Sequence, residues 1–129
     1  MRFENINGDD IMLYPGVAVI PRVDGAFALI DLRELQISAE HRGFHEEDGV
    51  PSDASIAGHT WAKTNKNGSP DRRFKDNYQI PICIYGNISF QSQTGVTEEY
   101  MVSNADAAQA FAEAVKRYQI SLTESEVLA

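Results

Sequence analysis

The densest run of side chains able to hold a ligand lies at residues 61–86, WAKTNKNGSPDRRFKDNYQIPICIYG. Five of the chain's eleven Lys and Arg residues fall there: Lys63, Lys66, Arg72, Arg73 and Lys75. Gly68, Pro70 and the Asn residues let the backbone turn tightly, and Lys66, Arg72, Arg73 and Lys75 are the residues expected to take an anion, a phosphate or carboxylate held by forked guanidinium groups. The competing expectation is structural. Asp71 and Asp76 pair with the arginines, Phe74 pins the loop to the core, and the whole is a rigid connection. Neighbouring residues on an extended chain point to opposite sides, so one arginine is expected inward and the other outward.

Other reactive constellations are weaker. His41, His45, Glu46, Glu47 and Asp48 carry metal-capable side chains, with Asp53 and His59 downstream. Histidines four apart chelate zinc from one helix face, yet Arg42-Gly43 and the lack of an apolar stripe argue against a helix and for a solvated loop. Pro70-Asp71 resembles the start of a metal-dependent nuclease signature, but no carboxylate-x-Lys follows. No G-x-S-x-G turn presents a nucleophile, and no glycine-rich nucleotide loop is present. Neither catalytic nor metal-ligating residues are assigned; no cofactor and no enzymatic activity are expected.

The chain has 129 residues and a formal net charge of −8. Residues 63–76 carry five basic against two acidic side chains, a local +3 that leaves −11 elsewhere. That balance opposes nonspecific attraction to nucleic acid or an anionic membrane, so an anionic partner must bind locally. The single cysteine, Cys83, lies in an apolar run and is expected as a buried thiol in a reducing cytoplasm. No run approaches the roughly 18 apolar residues of a spanning helix, and the N-terminus is too polar and acidic for a secretory signal.

Positioning this loop requires strands. Residues 11–20, IMLYPGVAVI, form two short strands or one kinked strand broken at Pro15-Gly16. A turn at Val23-Asp24-Gly25 leads to a strand at 26–32, and 33–38 is a candidate extension. Residues 40–55 mix charge with Gly and Pro and read as a long surface loop. Residues 56–64 form a strand anchored by Trp61. Gly86-Asn87 reads as a two-residue hairpin turn between strands at 79–85 and 88–93, and Thr94-Gly95 turns into 96–102, giving a three-strand meander. Ile80, Ile82, Ile84, Ile88, Phe90, Tyr100 and Val102 are the expected core. A helix at about 105–118 is capped by Ser103 or Asn104 and carries the apolar stripe Ala108, Phe111, Val115, Tyr118. Residues 1–120 form one domain, and 121–129 an acidic, flexible tail.

The order of strands followed by one C-terminal helix resembles the pleckstrin-homology-like (PH-like) barrel, two packed sheets capped by the helix, and residues 88–118 are similar to the last strands and helix of bacterial PH-like domains. The string W-x3-N-K-x-G-x-P-D-R-R-F-x2-N-x-Q-I-P-x3-Y-G, from Trp61 to Gly86, together with Leu13 to Gly16 and Val50 to Asp53, resembles an uncharacterised bacterial domain. That likeness implies a mainly β fold and brings no activity or site residues with it. The expectation is a cytoplasmic, non-enzymatic binding module acting through protein–protein contacts, with another protein or a second copy as partner. The alternative is recognition of a small anionic, phosphorylated or nucleotide ligand by residues 63–76.

Overall fold

The computed structural model describes residues 1–5, 8–22 and 24–128, with side chains described to Glu124. The chain is mainly β with one C-terminal helix: β1 (Arg2–Phe3), β2 (Ile11–Tyr14), β3 (Val17–Pro21), β4 (Phe27–Asp31), a 3-10 turn (Leu32–Glu34), β5 (Gln36–His45), β6 (Ser55–Trp61), β7 (Gln79–Gln91), β8 (Thr97–Val102) and α1 (Ala105–Leu128). The strands form two antiparallel sheets. Among the described strands none of one sheet pairs with one of the other, so they do not close into a single barrel. No described helix is long and apolar enough to cross a membrane.

The first sheet is a meander, β1-β2-β3-β4. Pro15-Gly16 turns β2 into β3, with Tyr14 opposite Val17 and Gly16 at φ 77°, a conformation that costs glycine little. The β3–β4 hairpin is closed by Arg22 N–H donating to Ala26 O at 2.8 Å, while the Asp24 carboxylate accepts from Ala26 N–H. Val23, expected in this turn, lies outside the described residues.

The second sheet is organised by β7. Ten of its thirteen residues pair with β5 along one edge, from Gln36↔Gln91 to His45↔Ile82, while β6 and β8 share the other. Gly86-Asn87 is therefore not a hairpin turn but the middle of a continuous strand, and the expected three-strand meander reduces to the β7–β8 hairpin. The reason is packing. A Cβ at residue 86 would collide with the Cβ of Ala108 and lie 3.2 Å from the Cα of Ala105, so glycine is needed where α1 crosses β7. Residues 40–45 likewise belong to β5 rather than to a loop, because ten successive residues find partners on β7.

Helix α1 starts where Asn104 Oδ1 accepts from Ala107 N–H at 2.9 Å, an N-cap, with Asp106 in the first turn. Ser103, the other cap candidate, instead donates to Asp53 Oδ1 at 2.6 Å. The helix continues to Leu128, past the expected end near 118 and through most of the segment read as a tail. Ala108, Ala112 and Val115 are buried, and Phe111 and Leu122 pack against them. Gln119 carries a polar group in that stripe, satisfied because its Nε2 donates to Leu32 O at 2.7 Å and Leu35 O at 2.6 Å. Tyr118, expected in the apolar stripe, is 38% exposed.

The core lies between the inner face of the first sheet (Ile11, Ala18, Ile20, Ile30), the C-terminal half of β7 with β8 (Ile88, Phe90, Tyr100), and α1. Phe3 ties the three together, its ring 5.1 Å from Phe90, 5.3 Å from Tyr100 and 5.2 Å from Phe111. Such pairs each contribute about 0.5–1.5 kcal/mol beyond area burial. Of the expected core, Ile80, Ile88, Phe90 and Tyr100 are buried. Ile82, Ile84 and Val102 are only partly so. The N-terminal half of β7 runs beyond the helix, and its other face buries Cys83 and Tyr85 instead.

Replacing Gly86 with Ala should destabilise the fold by about 1–3 kcal/mol through overpacking. Adding Ala108→Gly should recover part of that loss, less about 1 kcal/mol of helix propensity. Urea denaturation of the two variants checks both.

Candidate functional site

The basic loop occupies residues 62–78, between β6 and β7. Its base is a polar clasp: Lys63 N–H donates to Asn77 Oδ1 at 2.9 Å, and Asn77 Nδ2 donates back to Lys63 O at 2.8 Å. Its tip is a small hairpin in which Thr64 bridges Pro70, Asn65 N–H donates to Ser69 O, and Gly68 adopts φ 85°. Asp71 joins the two. It is 5% exposed, and its Oδ1 accepts from Arg73 N–H (3.1 Å) and Nε (3.0 Å) while Oδ2 accepts from Nη2 at 2.7 Å. This two-pronged bond, with the backbone N–H of Arg73 adding to it, holds the Asp71 carboxyl below the usual carboxylate range.

Lys66, Arg72, Arg73 and Lys75 are all exposed. Arg73 is engaged with Asp71 although its side chain is 83% accessible, so the two arginines differ in engagement rather than in burial. Lys66, Arg72 and Lys75 form no ion pair with any described residue. Phe74 does not pin the loop to the core: it is 47% exposed, with Lys63 Nζ 5.5 Å from its ring centroid in a cation–π contact.

The histidines are not brought together. His41 and His45 lie on β5 opposite Gly86 and Ile82, whereas His59 on β6 lies opposite Pro81 and so points to the other face of the sheet. On a strand, residues four apart are separated by about 14 Å, too far to share a metal ion. No group of three or more metal-capable side chains forms among the described residues. Asp53 is engaged by Ser103, and Glu46 Oε2 accepts from Tyr85 Oη at 2.5 Å. That bond, then burial, pushes the Tyr85 phenol well above its usual range.

A second surface emerges that residue-by-residue chemistry does not single out. Alternation along β2–β4 turns Ile11, Leu13, Ala18, Ile20, Ala28 and Ile30 inward, and turns Met12, Tyr14, Val17, Val19, Pro21, Phe27 and Leu29 outward, with Asp31 opposite Val17 and Arg2 of β1 opposite Met12 at the ends of the same face. Met12, Val19 and Leu29 form one cross-strand row. Tyr14 is 51%, Phe27 62% and Leu29 70% exposed. An antiparallel sheet with one solvated face is normally polar there; this one is apolar through its middle on both faces, its outward charges Arg2 and Asp31 lying at the ends. The sequence does carry the signal, since IMLY and VAVIP contain no charged or amide residue in either parity, the pattern of strands covered on both faces.

The same sheet ends on an open edge. Leu32 N–H donates to Gly16 O and Arg22 N–H to Ala26 O, which places the even residues of β4 in the ladder to β3. The backbone N–H and C=O of Phe27, Leu29 and Asp31 therefore point away from the sheet. Ion pairs among the described residues surround it: Arg2–Asp10 at 2.8 Å with Glu4 on the same guanidinium at 3.8 Å, Arg22–Asp9 at 2.6 Å, and Arg33–Asp31. Asp31 repeats the Asp71 arrangement, accepting from the side chain and then the backbone N–H of the arginine two residues on, which lowers its pKa to about 2. Compared with protein-family models, curated proteins and solved structures, the chain matches none.

Depressed carboxylates stabilise the fold above the unfolded pKa of about 4 and lose that contribution as pH falls through the folded value. Thermal melts should therefore show stability declining from about pH 4 toward pH 2. A variant carrying both Asp31→Asn and Asp71→Asn should decline less steeply over that window.

Proposed function

We propose that the chain is a non-enzymatic interaction module of PH-like kinship that engages another protein through the outer face of its first sheet. The observation that carries this reading is the contiguous apolar face, with Phe27 and Leu29 more than 60% exposed on β4, whose outer edge pairs with no described strand. Burying an exposed Leu or Phe contributes about 1.5–3 kcal/mol, which gives the sheet a strong reason to be covered. Apolar surface concentrated at the centre with ion pairs at the margin is the usual anatomy of a protein interface. A cytoplasmic setting belongs to the same reading, with Cys83 kept as a buried, reduced thiol.

A second reading, recognition of a small phosphorylated or nucleotide ligand, rests on Lys66, Arg72 and Lys75, which are exposed and form no ion pair among the described residues. The Asp71–Arg73 fork supports it by holding the loop in one conformation. Titration with inorganic pyrophosphate should then give a thermal shift that Arg72→Ala removes. No shift at low ionic strength discards this reading.

For the leading reading, a photo-crosslinking residue in place of Leu29 should give a discrete protein adduct in cells expressing the chain. The adduct should vanish when Val19→Lys places a charge in the same face. The same probe at the exposed Ala110 on α1 should give none. Adducts that ignore Val19→Lys, or no adduct from Leu29, would overturn the assignment.

A further inference from the structure

We propose that the partner is a second copy of this chain, the outer faces of two first sheets packing against each other about a two-fold axis; this rests on the docking-face reading above. The first argument is charge. Two copies of a chain of net −8 repel, and can approach closely only through a surface that carries little of that charge. The first sheet presents such a surface. Its centre is uncharged, and each arginine beside it is matched by an aspartate: Arg2 by Asp10, Arg22 by Asp9, Arg33 by Asp31. Glu4, which also approaches Arg2 at 3.8 Å, and Asp24 in the β3–β4 turn leave a small negative excess at the margin, so a strongly basic partner would be drawn to the rim and to the rest of the chain rather than to the apolar centre. An acidic partner would find no cation left unmatched beside it.

The second argument is area. Tyr14 and Phe27, each a side chain of about 150–250 Å², expose together on the order of 200 Å². Leu29 and the partly exposed Val19 and its neighbours bring the apolar face to roughly 400 Å², within the range of the largest, often functional, patch on a protein surface. In interfaces whose apolar share is a little over half, that implies about 700 Å² per side, close to the ~800 Å² of a standard complex. Edge-to-edge pairing of β4 alone would cover Phe27 and Leu29 but leave Tyr14, two strands away, exposed. The third argument is shape. A two-fold operation brings a patch onto itself, so an apolar row meets an apolar row with no partner-specific pocket required. Facing sheets pack about 10 Å apart with side chains interdigitating, as in β-sandwiches.

Sedimentation equilibrium tests this directly. The wild-type mass should rise from 14.3 kDa toward twice that value as concentration increases. Val19→Lys, at the centre of the apolar row, should weaken self-association at least about thirtyfold. Leu29→Pro, which removes an outward N–H from the β4 edge and trades Leu for a smaller but still apolar side chain, should weaken the face-packed dimer far less than Val19→Lys does. Leu29→Glu serves as a second face variant, with circular dichroism confirming that each variant is folded. A dimer that survives both Val19→Lys and Leu29→Glu overturns the proposal, as does one lost in Leu29→Pro but kept in Val19→Lys, which would indicate strand pairing. A wild-type chain that stays monomeric to about 1 mM also overturns it. In that last case the crosslinking from Leu29 still decides whether the face docks some other protein.

Discussion

The close approach of α1 to β7 at Gly86 is the constraint on which the rest of the architecture depends. Because nothing projects from residue 86, the helix can rest Ala105 and Ala108 directly on the central strand. With the helix seated there, Ala112 and Val115 reach the core, and Gln119 reaches the carbonyls at both ends of the 3-10 turn linking the two sheets. On the same strand β6 pairs with residues 79–84 and β8 with 86–91, so the two follow one another along a single edge on either side of that contact. One glycine thus aligns the helix, the longest strand and the crossover between sheets.

Two short elements use an identical polar device. Asp31-Leu32-Arg33 and Asp71-Arg72-Arg73 each fold an aspartate back onto the backbone N–H and guanidinium of the residue two positions later. In the first case the motif starts the 3-10 turn after β4. In the second it turns the chain between the hairpin tip and the return to β7. The buried carboxylate does the structural work in the basic loop, which explains how a stretch rich in cations keeps a fixed path without burying any of them.

How much of this was legible in the sequence varied with the range of the interaction involved. Pro15-Gly16 was readable because its turn is decided by the backbone preferences of those two residues. Gly86-Asn87 has the composition of a hairpin turn, and what makes it a strand is Ala108, twenty-two residues away; no local pattern reports that contact. Residues 40–45 looked like loop because, Phe44 apart, their side chains are polar or absent, whereas β5 is held there by backbone pairing to β7. The helix outran its apolar stripe because Gln119, polar by type, is satisfied by main-chain carbonyls. In the basic loop, pairing between Asp71 and an arginine was readable from proximity, but which arginine it would hold was not. The outer face of the first sheet was visible only as uninterrupted apolar runs, a pattern equally suited to a buried strand.

The division of the two sheets along the chain also matters for how the molecule is made. The first sheet consists of neighbouring hairpins confined to residues 2–31, and short loops of this kind close quickly. Its inner face is covered by Phe90, Tyr100 and Val115, which leave the ribosome much later. During synthesis the meander is therefore a two-sided apolar sheet with nothing on either side. Transiently exposed apolar surface of this kind is where folding intermediates aggregate, so the last third of the chain completes the protection of the first as well as its own fold.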